Sequence, residues 1–181
     1  MKSTYQIDPA HSSIQFSIRH MMISNVRGGF SGVKGTVVYD PDSVAQSGVR
    51  AEIDVNTINT SDDKRDAHLK TADFFDVEQY STITFVSKQV EKLSDTEFKI
   101  TGDLTIHGVT KSTVLNVEEV SPEGKDPWGN VRTGASARAK INRKDFGLAW
   151  NAPLETGGIL VGDDVKLEFD IEMIKVQAAN A

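Results

Sequence analysis

The chain contains 181 residues, and its 20 lysines and arginines against 26 aspartates and glutamates give a formal net charge of −6. This length is sufficient for a substantial core, and we predict a single domain over residues 1–181. The negative charge and the lack of any basic run disfavour a nucleic-acid partner, whose phosphates require clustered lysine and arginine. The chain has no cysteine, which excludes disulfides, thiolate zinc sites and cysteine nucleophiles.

The start of the chain bears on its location in the cell. Residues 1–8 lack the apolar run of a signal peptide, and no segment approaches the roughly 18 apolar residues of a membrane span. We therefore expect a soluble cytoplasmic protein. If a signal segment was removed from a longer precursor, a periplasmic or extracellular location is the alternative.

The first clear pattern is an alternation of apolar and polar residues over residues 12–20. Ile14, Phe16, Ile18 and His20 share one face of the predicted strand, which places a histidine among apolar side chains. The following segment, residues 20–25, is apolar without a period, and we predict that it could form a short helix.

A second break in the alternation falls at residues 61–72. Ser61 is a plausible helix N-cap, and carboxylates follow in the first turn, where they favour the helix dipole. We predict a short helix here, followed by the adjacent rings of Phe74 and Phe75.

The rest of the chain returns to alternating strands. They are predicted over residues 82–88, 98–106, 109–117, 131–141 and 165–176, with a tight hairpin at residues 107–108 and further turns at 40–42 and 121–124. Long strands with one apolar face predict an all-β fold, an elongated closed antiparallel barrel of about eight strands with one or two short helices.

The histidines give no metal-binding or catalytic pattern. None of the four stands at H-x-H or H-E-x-x-H spacing, and no G-x-S-x-G motif occurs, so we predict neither a metal site nor catalytic residues. His20 is the one histidine that we consider for ligand binding, because its parity places it on the apolar face and a buried imidazole needs a hydrogen-bond partner. We leave two readings open for it, a ligand head group or a backbone carbonyl.

Small residues favour a cavity inside the predicted barrel. The strand over residues 131–141 carries one glycine and three alanines at positions 134, 135, 137 and 139. An eight-stranded barrel either fills with side chains or holds one ligand, and small side chains leave volume for the second outcome.

Seven segments, spread in order over nearly the whole chain, resemble the signature of the YceI-like family. They are D8-P-A-H-S-S-I-Q-F16, V26-R-G-G-F30, R65-D-A-H-L-K-T-A-D-F-F-D76, I83-T-F85, G102-D-L-T-I-H-G-V-T-K111, R143-K-D-F-G-L-A-W150 and V161-G-D-D-V165. The resemblance implies a lipocalin-like barrel that binds polyisoprenoid chains, including quinone tails, in a hydrophobic tunnel, with no established catalysis. Two positions depart from the family pattern: Ser81 stands where proline is common, and Val33 stands where a second aromatic residue is common.

We therefore expect carriage, storage or sequestration of a long-chain amphipathic lipid, a polyisoprenoid or isoprenoid quinone, and no cofactor beyond that ligand. The alternatives are an enzyme acting on an amphipathic substrate and a stress-related interaction protein with a filled barrel. We expect transient membrane contact and leave a homodimer open. The predicted ligand-binding residues are Ile14, Phe16, Ile18, Arg19, His20, Met21, Met22, Phe30, Phe74, Phe75, Phe85, Leu104, Ile106, Phe146 and Trp150.

Overall fold

The structure, a computed structural model, describes residues 1–177; positions 178–181 of the predicted domain lie outside the described residues. The described residues contain eleven strands in one sheet. The strands are β1 (Ser3–Ile7), β2 (Ser13–His20), β3 (Ser24–Phe30), β4 (Val33–Tyr39), β5 (Gly48–Asp54), β6 (Thr82–Lys92), β7 (Phe98–Ile106), β8 (Val109–Val120), β9 (Gly124–Lys125), β10 (Val131–Asn142) and β11 (Val161–Lys175). One α-helix, α1 (Asp63–Leu69), and four short 3₁₀ turns complete the fold.

Eight of the strands close into an antiparallel barrel, which confirms the predicted fold class. The ring runs β11, β1, β4, β5, β6, β7, β8 and β10, and the long pairing of β10 with β11 closes it. Along β7 the side chains alternate strictly between buried and partly exposed, as expected for a strand with one face toward the barrel interior.

The β2–β3 hairpin extends the barrel wall at one end. The same edge of β11 pairs with β1 near Lys175 and with β2 over residues 161–170, so β2 continues the wall where the short β1 stops. The predicted short helix at residues 20–25 is wrong. Met21 and Met22 have φ values of 50° and 61°, and His20 pairs with Ser24, so this segment is a tight hairpin turn. Strand pairing outweighs the weak helical preference of these residues.

The predicted helix near residue 61 is confirmed, although it is shorter and begins later. Its N-cap is Asp62, whose carboxylate accepts a hydrogen bond from the Arg65 backbone N–H at 3.0 Å. Ser61 has a φ of 62° and lies one residue outside the cap. The Asp62 carboxylate is better placed than Ser61 to accept a hydrogen bond from one of the free N–H groups of the first turn.

The barrel has two ends, which we name for use below. The α1 end contains α1, the β2–β3 turn, and the loop over residues 151–160 that precedes β11. The Tyr5 end contains β1, the β6–β7 turn and the β9–β10 turn. Inward-facing apolar residues of the ring form a core that runs between the two ends. Among residues 1–177, no helix has the length and apolar character needed to cross a bilayer.

A charged cluster on the outside of the wall ties three parts of the chain together. The Arg132 guanidinium of β10 donates to Asp8 and to Glu172 at 2.6 Å each, and to Asp126 at 2.7 Å. Asp8 also caps the 3₁₀ turn at Pro9–His11. The carboxylates of Asp8 and Asp126 are largely removed from solvent, so this cluster is expected to contribute to stability more than an exposed ion pair does.

Candidate ligand-binding cavity

The barrel encloses a cavity of about 720 Å³ whose wall is overwhelmingly apolar. Phe98, Ile100, Leu104 and Ile106 of β7 all line it, so the cavity follows this strand along its length. The strand β7 has nine residues, which at about 3.3 Å per residue correspond to an extent of roughly 26 Å. The volume of the cavity lies within the range of pockets that hold small molecules, about 300–1,000 Å³.

Most of the predicted ligand-binding residues lie on the wall of this cavity. For those in β2, β6 and β7 other than Arg19, the inward direction follows from the period of two along each strand. Twelve of the fifteen line the cavity: Ile14, Phe16, Ile18, Arg19, His20, Phe30, Phe74, Phe75, Phe85, Leu104, Ile106 and Trp150. Contact of these side chains with a ligand stays a prediction.

The other three predicted residues lie elsewhere. Met21 and Met22 form the β2–β3 turn, and their exposed fractions are 42% and 59%. Phe146 is the last residue of the 3₁₀ turn over Arg143–Phe146, and its side chain, only 2% exposed, packs in the core. Sequence parity could not separate these positions from the wall, because none of the three lies in a strand.

Three rings meet at the α1 end of the cavity. His68 lies edge-on to Phe74 and to Trp150, with ring centroids 5.1 and 5.0 Å apart, and Phe74 lies 5.3 Å from Trp150. The His68 Nε2 atom lies 2.8 Å from a carboxylate oxygen of Asp73, which fixes the imidazole. All three rings line the cavity, so they form an aromatic cluster across its α1 end.

A buried arginine positions the Trp150 segment. Arg143 is 3% exposed, and its guanidinium donates to the carbonyls of Leu148, Trp150 and Gly162 at 2.5, 2.9 and 2.7 Å. Gly147 supports this path, because its φ of 76° ends the preceding 3₁₀ turn in a left-handed conformation. Burial lowers the pKa of Arg143, and the nearby Asp163 carboxylate, 3.6 Å away, opposes that effect.

A second arginine at this end holds the segment that leads into α1. The Arg65 side chain donates to the hydroxyl and to the carbonyl of Thr60, at 2.7 Å each. Thr60 in turn donates to Asp66 at 2.5 Å. Arg65, Thr60 and His68 line the cavity, so charged and polar groups gather at the α1 end of an otherwise apolar space.

The Tyr5 end carries a different hydrogen-bonded group. The Tyr5 hydroxyl donates to Glu123 at 2.5 Å, and Lys175 donates to the same carboxylate at 2.8 Å. These two donors lower the pKa of Glu123, and Lys175 has the larger influence. The pKa of Tyr5 is raised, mainly by burial and then by its hydrogen bond to Glu123. Tyr39 and Phe98 pack edge to face beside them, 5.8 Å apart.

The prediction missed several wall residues. Ile7, Val90 and Leu148 are buried parts of the wall, and Phe169, Ile171 and Met173 of β11 continue it. The alternation of β11 was visible in the sequence and could have identified its three residues. Arg143 and His68 could not be assigned to the wall this way, because a turn and a helix place them there.

One group outside the cavity has the composition of a metal site. Asp8, His11 and Glu172 can each bring a ligand atom within 4.8 Å of the others. The Arg132 guanidinium donates to both carboxylates, and it holds the pKa of Asp8 down at about 2, with His11 the second influence. A fixed positive charge at the centre of this group opposes a cation there.

Similarity to known proteins agrees with this architecture. UPF0312 protein SAS2572 of Staphylococcus aureus strain MSSA476 is 39% identical over 171 residues, which cover 94% of this chain and 96% of that protein. BcnA of Burkholderia cenocepacia superposes with a TM-score of 0.79 at 24% identity, covering 92% of this chain and 98% of BcnA. A polyisoprenoid binding domain from Saccharophagus degradans superposes with a TM-score of 0.67 at 18% identity, covering 95% and 98% of the two chains.

The family assignment depends on how much of the chain is matched as well as on the percentage of identical residues. The family described as "YceI-like domain" matches residues 5–173, from the first strand of the barrel ring to the last. The Staphylococcus relative aligns over nearly its full length. This chain belongs to the YceI-like family.

Proposed function

We propose that this protein binds one long-chain amphipathic lipid of the isoprenoid class, with its tail extended along the barrel cavity. The observation that carries the proposal is an apolar cavity of about 720 Å³ whose polar groups gather at its ends. The same class of ligand is named for the Saccharophagus domain that shares this fold. A tail that is apolar along its length and polar at one end matches this distribution.

The cavity volume suggests the length of the tail. An engineered cavity of about 150 Å³ holds one benzene ring, so 720 Å³ corresponds to roughly 30 carbon atoms. That number is equivalent to about six isoprene units, each of five carbons. Longer tails would have to leave the barrel at one end.

The reference state decides whether such binding can be reversible. Each CH₂ removed from water contributes about 0.8 kcal/mol, so about 30 carbons would exceed the practical limit of roughly 20 kcal/mol for affinity. A lipid tail starts in a membrane, where it is already in an apolar environment. Transfer into the cavity is then close to balanced, which suits carriage, storage or sequestration.

We place the head group at the α1 end, where His20 and Arg65 line the cavity. Arg19 also borders the cavity, but its side chain lies on the outward face of β2. Arginine donors suit a phosphate or a quinone carbonyl. The His68–Asp73 pair would be the natural base of an enzyme, but Phe74 and Trp150 both pack edge to face with the imidazole. This packing favours a structural role for His68 and binding over catalysis. An empty volume of this size also opposes the alternative of a barrel filled with side chains.

Tryptophan fluorescence provides the test, because the chain has two tryptophans in different places. Trp150 lines the cavity, whereas Trp128 is 80% exposed in the β9–β10 turn. We would titrate delipidated protein with an isoprenoid quinone in dilute detergent, since quinones accept excitation energy from nearby indoles. The variant Trp128→Phe retains the cavity tryptophan and should show saturable quenching at one quinone per chain.

The matched variant Trp150→Phe retains only the exposed tryptophan and should show little quenching. Equal quenching in both variants would indicate collisions with detergent-bound quinone and would refute cavity binding. A lack of saturable quenching in Trp128→Phe would refute it as well.

A further inference from the structure

The β2–β3 turn carries a small exposed apolar surface at the α1 end. Met22 and Ile23 have exposed fractions of 59% and 74%, and Ile159 of the neighbouring loop is 39% exposed. The two segments are in contact, since the Met21 backbone N–H donates to the Leu160 carbonyl at 2.7 Å. We name this surface, formed by Met21, Met22, Ile23 and Ile159, the hairpin tip.

The hairpin tip adjoins the cavity. His20 and Leu160 line the cavity, and each is the chain neighbour of a residue in the hairpin tip. Val161 pairs with His20 across the two strands and also lines the cavity. A surface that covered the hairpin tip would therefore lie beside the α1 end of the cavity.

The β2–β3 hairpin, which carries three of the four residues of the hairpin tip, differs in charge from the whole chain, although the neighbouring loop contributes the exposed Glu155. Residues 9–39 contain no aspartate or glutamate and carry Arg19, Arg27 and Lys34, although the chain has a net charge of −6. Arg19 and Arg27 lie on the same outward face of the β2–β3 hairpin, as their register shows. Exposed apolar side chains flanked by arginines are typical of segments that enter the interface of an anionic bilayer.

We propose that the hairpin tip docks into the surface of an anionic lipid bilayer and holds the α1 end of the cavity against it. Apolar side chains at the tip enter the interface, and Arg27 and Arg19 contact lipid phosphates from the hairpin face. A lipid could then pass between bilayer and cavity without crossing water. The docking itself depends on the hairpin tip and not on the identity of the ligand in the cavity.

Vesicle cosedimentation tests this proposal with the full chain. We expect binding to phosphatidylcholine vesicles that contain phosphatidylglycerol, weaker binding to pure phosphatidylcholine, and a loss of binding as salt screens the charges. The double variant Ile23→Ser, Ile159→Ser should bind roughly tenfold more weakly, because two apolar side chains no longer leave water. Arg27→Gln should reduce the salt dependence.

Trp128→Ser is the matched control, since Trp128 is more exposed than any residue of the hairpin tip but lies at the Tyr5 end. It should bind vesicles like the unchanged protein. Equal loss in Trp128→Ser and in the double variant would overturn the proposal, as would a lack of binding by the unchanged protein. A dimer in sedimentation equilibrium that the double variant abolishes, with no vesicle binding, would assign the surface to self-association instead.

A label provides an independent readout that does not require the apolar residues to be removed. The chain has no cysteine, so Ile23→Cys accepts a single environment-sensitive dye, and Trp128→Cys serves as the control. Anionic vesicles should shift the emission of the dye at residue 23 to the blue and leave the dye at residue 128 unchanged. Quinone uptake from detergent should be the same in the double variant as in the unchanged protein, so loss of docking and loss of ligand binding are separately visible.

Discussion

The imidazole of His68 and the indole of Trp150 meet edge to face at the α1 end of the barrel cavity, with ring centroids 5.0 Å apart. Phe74 contacts both rings. One ring comes from α1, one from the turn after it, and one from the segment before β11. This contact therefore joins distant parts of the chain across the end of the cavity where we place the head group.

We expect the aromatic cluster to slow ligand release. Trp150→Ala removes two ring contacts, each of which contributes about 0.5–1.5 kcal/mol, so release of a bound fluorescent isoprenoid should become roughly tenfold faster. Trp150→Phe should keep most of the delay because it retains a ring. Stopped-flow transfer of the probe to acceptor vesicles measures the rates. Unchanged release in Trp150→Ala would mean that the cluster does not restrict the exit.

The length of the tail should depend on the middle of the barrel. Leu104 is buried opposite Phe85 in the β6–β7 pairing, and both line the cavity. Leu104→Trp should block the passage, so that short isoprenoids still bind whereas tails of about six units lose affinity by tenfold or more. A competition series of isoprenols of increasing length measures this selectivity.

Val114→Trp is the control for added bulk, because Val114 faces outward from β8 with an exposed fraction of 36%. It should leave the length dependence unchanged. If Leu104→Trp bound long and short tails as the unchanged protein does, the tail would not pass this point of the cavity.

Arg143 should be essential for stability, although it is charged. Arg143→Met leaves the carbonyls of Leu148, Trp150 and Gly162 without the donor that the buried guanidinium provides. An unsatisfied buried group costs about 1–3 kcal/mol, and a partly exposed one costs less because water can replace the donor. Only the bond to Leu148 is fully buried, so we expect the free energy of unfolding to fall by roughly 2–4 kcal/mol. Urea denaturation measures the loss. Lys144→Met, at an exposed neighbour that also contacts Asp163, should change stability by less than about 1 kcal/mol.

The Arg132 cluster predicts a loss of stability in acid. The pKa of Asp8 falls from 3.8 to about 2, chiefly because of Arg132, and the pKa of Asp126 is also lowered, again chiefly by Arg132. A depressed carboxylate pKa stabilises the fold above the unfolded value, and this contribution disappears as the pH falls from about 4 to about 2. Urea midpoints measured across this range should decrease with pH.

Asp8→Asn should remove part of that dependence, because residue 8 then no longer titrates. We expect a loss of about 1 kcal/mol at neutral pH, after allowance for solvent screening, and a smaller further loss in acid. Asp42→Asn, at an exposed residue that pairs with the N-terminus, should leave both quantities nearly unchanged. An identical acid dependence in Asp8→Asn and in the unchanged protein would contradict this account.

The regular strands were largely predictable from the sequence. The apolar face of β7, from Phe98 to Ile106, follows directly from a period of two and is the face that lines the cavity. The same reasoning placed His20 inward, where it lines the cavity. Local alternation succeeds here because every inward residue of a barrel strand faces the same interior.

The residues at the ends of the barrel were harder to predict. Residues 20–25 were read as a helix because the pattern lacks a period, whereas the pairing of His20 with Ser24 dictates a turn. The burial of Arg143 depends on carbonyls of the segment that follows it and of Gly162 in β11, nineteen residues away. Such contacts depend on tertiary structure, which no local pattern contains.

Occupancy of the cavity is the central claim, and native mass spectrometry with organic extraction tests it most directly. Protein purified without added ligand should carry a lipid at one molecule per chain, or should take up one isoprenoid quinone or polyprenyl probe stoichiometrically. The extracted molecule should have an apolar tail of at least about 30 carbons, since that number fills the volume of about 720 Å³. Bare polypeptide mass in both experiments, with no lipid extracted and no probe taken up, would contradict the account.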